Sequence, residues 1–459
     1  MSIERSQIET LFNSYYNDKI QNKKLLNKIK NFSESFVPYI KGKTNLLAFN
    51  FFKYNYNLRD PILLSICLGS NPKNKILRVF KPNESIYLDS KFLSKLNKEN
   101  IKYDNLIIRV SHPYLKSANN EYRFFGVYFD KSKFISVTHS QKKPDSYSVK
   151  CGTRSFGVKK YDYLYFDSKN YHDLRFEKKS FFLNNNKKKL IPGFICQKYK
   201  QYITGIWHDT DYSNKAIFNK KTNFTTNISQ VLIWPKPNKI NISIFIDNNQ
   251  IGFIPDEVFI EVISLKNNKK IKKIKFKNIT NHDFLEIKNI KYREDCYLKV
   301  FLRKKNYSIA KPSLGYLQAI YKAKDIAIDE VHSMITPSYN TDKTKPNVSF
   351  RCRKFAPLVF NKKLKSNFYI INLDNHGSFC DERVRVRVFG ENNKEMIEDI
   401  IFRKNTGVHK INTNNIKKFL VKNKLKSGIL MIEAEKTNYS AIFTLSNNYS
   451  FGIDHFTGG

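Results

Sequence analysis

The chain has 459 residues, 41% of them hydrophobic and 14% aromatic, a content that fills the cores of roughly two to four domains and excludes a wholly disordered polypeptide. Its formal net charge of +41 divides into +14 over residues 1–150, +14 over 151–300 and +13 over 301–459, the even spread of a lysine-rich composition, with a polyanionic partner as the alternative. The six cysteines, at 67, 151, 196, 296, 352 and 380, never form a Cys-x-x-Cys pair, which argues against a zinc ribbon or a disulfide framework and for a reducing, cytoplasmic setting.

Residues 3–31 carry Ile8, Leu11, Phe12 and Tyr15 at helical spacing, and Leu25, Leu26 and Ile29 repeat the stripe among lysines, so an N-terminal amphipathic helix is expected within 1–35. Met1–Phe12 has no apolar core of a secretory signal. The most apolar short stretch, Pro61–Gly69, is far below the ~20 residues of a membrane-spanning helix, so no membrane insertion is expected.

After Pro38 short apolar alternations are punctuated by Asn, Gly, Pro and Lys clusters, the pattern of antiparallel strands. Three segments begin alike: Ile62–Leu68, Val258–Leu265 and Val384–Phe389. A polar turn follows each, then a second strand ending in Phe80-Lys81, Phe276-Lys277 and Phe402-Arg403, always 18 residues from the first strand's start. Further apolar segments run in parallel and close on Phe134–Thr138, Ile326–Val331 and Phe451–Asp454, each followed by a histidine: His139, His332 and His455. The expected fold is all-β, with three β-sandwich-like repeats of about 75–100 residues over 40–140, 231–335 and 348–459. An aromatic, basic and β-rich insertion spans 141–230, with a polar loop at 184–189, and a linker spans 336–347.

The third copy, with Ile400–Asn412, Gly428–Ala434 and Ile453-Asp454-His455, resembles the strand order of the small β-sandwich of sensory-rhodopsin transducer proteins. The resemblance covers at most the last 75 to 100 residues well. It implies a non-enzymatic sandwich that binds a partner or small ligand and oligomerises, and it carries over no functional residue.

Several residues are candidates for a site. His139, His332 and His455 sit where a strand meets a loop, either bonded to a backbone carbonyl or carboxylate, or facing a ligand. Asp329 and Asp454 lie beside two of them, whereas the first copy has Thr138. Trp207-His208-Asp209-Thr-Asp211 is the densest polar cluster of the insertion; ordinary loop structure, a glycan stacked on Trp207 and a metal are its readings. Asp374, His376, Cys380, Asp381 and Glu382 precede the third copy in an Asn-His-Gly turn whose spacing matches no zinc or calcium loop. Arg383, Arg385 and Arg387 share one strand face, read as a solvated strand or a guarded sheet edge, with anion binding as the alternative.

No Walker loop, dinucleotide fingerprint, Gly-x-Ser-x-Gly elbow or His-Glu-x-x-His occurs, which disfavours the corresponding ATPases, dehydrogenases, hydrolases and zincins, and no cofactor is expected. The sequence therefore favours a non-catalytic binding protein for a glycan, an anionic polymer or a protein, oligomeric or not. A carbohydrate-active enzyme using His208, Asp209, Asp211 or the Asp374–Glu382 cluster is the first alternative, and nucleic-acid binding the second.

Overall fold

The structure, a computed structural model, describes residues 32–49, 62–80, 84–101, 103–111, 124–129, 135–142, 226–246, 253–280, 283–288, 290–305, 309–311, 317–323, 326–332, 352–359, 364–371, 382–390, 394–402, 408–434, 440–447 and 451–458, together with the short backbone strands between 155 and 218 named below. The expected N-terminal helix, the 184–189 loop and the 336–347 linker lie outside the described residues.

Unit 1 contains β1 (Phe32–Ile40), β2 (Thr44–Phe49), β3 (Ile62–Leu68), β4 (Lys75–Phe80), β5 (Ser85–Leu88), helix α1 (Ser90–Leu93), β6 (Tyr103–Ser111), β7 (Phe125–Phe129), β8 (Ile135–His139) and β9 (Gln141–Lys142). They form two antiparallel sheets, an outer one ordered β4-β3-β6-β1-β9 and an inner one ordered β5-β2-β7-β8.

Next along the chain come β10 (Ser155–Phe156), β11 (Tyr163–Tyr165), β12 (Tyr171–His172), β13 (Phe181–Phe182), β14 (Gly193–Cys196), β15 (Ile203–Ile206) and β16 (Ile217–Phe218). Here β10 pairs with β13, and a second sheet runs β12-β11-β14-β15.

Unit 2 contains β17 (Thr226–Trp234), β18 (Ile240–Phe245), β19 (Glu257–Ser264), β20 (Lys270–Lys277), β21 (Phe284–Ile287), β22 (Cys296–Lys304), β23 (Ile309–Lys311), β24 (Gln318–Ala323) and β25 (Ile326–His332). Its outer sheet is β20-β19-β22-β17 and its inner sheet β21-β18-β24-β25, while β23 pairs with β16.

Unit 3 contains β26 (Cys352–Val359), β27 (Lys365–Ile371), β28 (Glu382–Gly390), β29 (Glu395–Phe402), β30 (Val408–Lys410), helix α2 (Asn414–Lys422), β31 (Ser427–Ala434), β32 (Ser440–Ser446), β33 (Phe451–His455) and β34 (Thr457–Gly458). Its sheets are β29-β28-β31-β26-β34 and β30-β27-β32-β33, so the three units share one strand order and the protein is mainly β.

The local causes are ordinary. In β19 the residues at 258, 260 and 262 face the core and those at 259 and 261 face outward, the two-residue period of a strand packed on one side. The turn that follows puts Asn268 at φ 54, a left-handed position that asparagine tolerates. Helix α2 buries Ile416 and Leu420, four residues apart on one face. Asp89 starts α1 by accepting a hydrogen bond from the Phe92 backbone N–H at 2.7 Å.

The 18-residue spacing has a direct structural meaning in two units. Ile62 is paired with Phe80 across β3 and β4, and Val258 with Phe276 across β19 and β20. In unit 3 the register is offset: Val384 faces Ile400, and Phe402 faces Glu382. Each unit also begins two strands before the segments that open alike in the sequence.

In unit 1 the inner sheet is covered on both sides. Every residue of β2 and of β8 is buried, although successive side chains point to opposite faces. One face meets the unit's own outer sheet, and the other meets a neighbouring unit. Accordingly one apolar cluster joins unit 1 to unit 3, through Leu47, Phe49, Phe355 and Phe389 among others. A second joins unit 2 to the opposite face of unit 3's inner sheet, through Tyr297, Tyr369, Ile371 and Phe451.

Candidate functional site

Of the residues singled out in the sequence, Trp207, His208, Asp209, Asp211, Asp374 and His376 lie outside the described residues. His332 and His455 end β25 and β33, and only their backbone is described. His139 is fully placed.

His139 ends β8 and is 2% exposed. Its ring Nδ1 lies 3.0 Å from Asp454 Oδ2, and its backbone N–H donates to the same oxygen at 3.0 Å. Asp454 belongs to β33 of unit 3, so the carboxylate beside His455 in sequence serves the histidine of another unit. One carboxylate oxygen thus ties the ends of two closing strands. Gly452 allows this approach: a Cβ there would stand 3.0 Å from the Val137 nitrogen and 3.1 Å from Ser136 Cα. With Gly452 opposite Ser136 and Val137, and Asp454 opposite His139, β33 and β8 run in the same direction.

The junction of units 2 and 3 is polar at its edge. Asp295, just before β22, accepts a hydrogen bond from the Tyr369 hydroxyl at 3.1 Å and one from Lys410 Nζ at 2.8 Å. Burial, and then the Asp295 charge, push the Tyr369 phenol well above its ordinary value, so it donates as a neutral group. Beside it, burial pushes the Cys296 thiol up to about 12, with Asp295 and Glu294 adding to the effect. Next to this contact Phe451 meets Tyr321 edge to face, with ring centroids 5.4 Å apart.

The third feature is the outward face of β19, β20 and β22. Strand pairing sets up three rows: Lys277-Glu257-Arg303, Lys275-Phe259-Phe301 and Lys273-Glu261-Lys299. Glu257 gathers Lys275 at 2.9 Å, Arg303 at 3.2 Å and Lys305 at 3.4 Å. The hydrogen bond from Lys275 leads the causes that lower its carboxyl to about 2, with the Lys275 and Lys305 charges acting in the same direction. Glu261 pairs with Lys270 at 2.5 Å. The Phe259 ring lies under Lys275, Lys273 and Arg303, at 4.7, 5.7 and 5.7 Å from its centroid. Lys270, Lys273, Lys275 and Lys277 of β20 are all exposed, and with Arg303 they outnumber the two carboxylates of this face. The sequence shows the source in Lys269–Lys277, where the lysines alternate with Ile271, Ile274 and Phe276.

The arginine ladder of unit 3 occupies the equivalent face, with a different role from edge protection. β28 lies between β29 and β31, so it is an interior strand. Arg387 bonds Glu433 through Nε at 2.8 Å and Glu395 through Nη1 at 2.8 Å, and is spent within its own sheet. Among the described residues no group of three or more His, Cys, Asp or Glu is placed to hold a metal. Among them, too, no helix is long and apolar enough to cross a membrane.

No protein-family model matches the chain, and no curated protein matches it. Among solved structures, a glycosyl hydrolase family 2 member from Bacteroides cellulosilyticus is similar at 11% identity and a TM-score of 0.15, over 67% of this chain. The chain spans 36% of that structure's length. The pilus backbone RrgB from Streptococcus pneumoniae is similar at 11% identity and a TM-score of 0.11, over 94% of this chain and 84% of its own. Neither is a sensory-rhodopsin transducer protein.

Proposed function

We propose that the protein is a non-catalytic binding protein built of β-sandwich units, and that the exposed face of β19, β20 and β22 takes an anionic ligand. The observation that carries this reading is the row structure of that face. Rigid sheet positions, rather than a mobile tail, hold Lys273, Lys275, Lys277 and Arg303 side by side around two carboxylates. A sheet fixes the spacing of the strand positions that carry the cations, so the protein loses less conformational entropy on binding a polyanion than it would with lysines on a mobile segment. Phe259 is already roofed by three cations, which suits sulfate or carboxylate groups above it better than a stacked base, so an anionic glycan is favoured over nucleic acid.

The test is titration of a fluorescent heparin oligosaccharide at rising NaCl, with a duplex DNA of equal charge and neutral dextran as comparisons. The expected result is heparin binding that weakens with salt, and a loss of about tenfold in Lys273→Gln/Lys277→Gln, each lysine giving up roughly 0.5–1 kcal/mol. Equal affinity of the double variant and the parent, or tighter binding of dextran, would overturn the assignment of this face.

A further inference from the structure

We infer that residues 155–206, whose sequence reads as an insertion, form a fourth and reduced copy of the same sandwich unit, and that this copy closes the three full units into a ring of four within one chain. Three independent observations support it: strand order, chain length and contact.

In each full unit the inner sheet takes its strands in the order fifth, second, seventh, eighth, and the first and sixth strands pair in the outer sheet. The 155–206 segment gives β12-β11-β14-β15 and the pair β10-β13. With β10 as the first strand, β11 the second, β12 the fifth, β13 the sixth, β14 the seventh and β15 the eighth, every pairing matches, and all are antiparallel. The third and fourth strands are missing from the sequence itself. They occupy residues between 50 and 84 in unit 1, between 246 and 283 in unit 2, and between 372 and 407 in unit 3, whereas β11 and β12 are separated by 166–170 alone. A stretch that short reaches at most ~18 Å and cannot make a strand pair and return.

The contacts close a circle. β8 lies against β33, β33 against β25, β25 against β15, and β15 against β8. The sheets follow one rule round it. The inner strands β2 and β5 of unit 1 lie on β31 of unit 3's outer sheet, and β27 of unit 3 packs into the core of unit 2. The inner strand β14 of the reduced unit lies on β1 of unit 1's outer sheet. The remaining inner sheet, that of unit 2, faces the reduced unit. Rows there bond within unit 2, Glu286 to Lys322 at 3.1 Å and to Lys288, whereas the same rows of unit 3, Tyr369 and Lys410, reach across to Asp295.

The ring order predicts a contact from equivalence. Gly452, three residues before His455, stands against Ser136, three residues before His139. One step round the ring, Ser136 should stand against Gly205, three residues before His208. The experiment is the full-length Ser136→Cys/Gly205→Cys variant treated with a short bifunctional thiol reagent, followed by peptide mass mapping. The expected result is a cross-link within one chain joining the peptides that hold positions 136 and 205. Its absence in a variant that keeps its strand circular dichroism, or a cross-link found only between chains, would overturn the ring. Should Gly205→Cys lose that signal, Thr204→Cys with Ser136→Cys replaces it and is judged by the same two results. Heparin affinity plays no part in either outcome, so the ring and the anionic face fail separately.

Discussion

Unit 3 is held on its two sides by different chemistry. Toward unit 1 the contact is aromatic: the Phe49 ring stands 5.7 Å from Phe355 and 4.6 Å from Phe389, Phe125 meets Phe443 edge to face at 5.9 Å, and one carboxylate-to-histidine tie closes the end. Toward unit 2 a smaller aromatic contact is joined by a phenol and a lysine that converge on Asp295. The first gains mainly from burial, with one carboxylate tie at its end, while the second depends at its edge on a carboxylate that stays ionised and bonded. Strand order alone does not set the chemistry between units; the residues at equivalent rows do.

Truncation at the aromatic junction gives the largest effect. Phe49→Ala removes a side chain that is 3% exposed and leaves a cavity between two units, which costs about 3–5 kcal/mol in urea unfolding followed by circular dichroism. A cost below ~1 kcal/mol would mean that unit 3 does not rest on Phe49. Next in size, Asp454→Ala takes an acceptor from both the backbone N–H and the ring of His139, at a cost of about 2 kcal/mol by the same measurement. Asp454→Asn keeps one acceptor oxygen and should recover part of that loss.

At the polar junction the effect is smaller. Tyr369→Phe removes a hydroxyl bonded to a charged acceptor and costs about 1.5 kcal/mol. Trp234, fully buried in unit 2 with its indole N–H bonded to the Ile240 carbonyl at 2.7 Å, reports this transition by fluorescence. Lys410 still holds Asp295 in the variant, so the junction weakens without opening.

The all-β class and the hairpins at 62–80 and 258–276 were legible because short apolar strands are separated by polar turns, with one-sided alternation clearest in β19. The inner strands were harder to assign to a face. Thr44–Phe49 is buried throughout, so its sequence carries no alternation to read. Residues 155–206 read as an insertion because losing the third and fourth strands removed the hairpin that marks the full units. The His139 tie was hidden for another reason: its acceptor lies 315 residues away, while sequence adjacency pointed to Asp454 with His455. The basic face was visible as Lys269–Lys277, yet the rows with Glu257, Phe259 and Arg303 required three strands in register.

The smallest effect separates that basic face from both junctions through pH. The Glu257 carboxyl is lowered from 4.5 to about 2 by the hydrogen bond from Lys275 and the cations around it, so ionised Glu257 stabilises the folded state. A depressed folded value means that this contribution is present above pH 4.5 and fades as pH falls through 2, below which both states are protonated. Glu286 and Glu294 are lowered as well and add to acid sensitivity in the same sense, so the parent's melting curve alone does not isolate Glu257. The difference between parent and Glu257→Gln does. Melting temperatures should differ most at pH 6 and converge between pH 4.5 and 2. Phe49→Ala should keep a constant offset over the same range, because no titrating group was removed; a Glu257→Gln offset that is equally flat would show that the cations of this face do not hold the carboxylate.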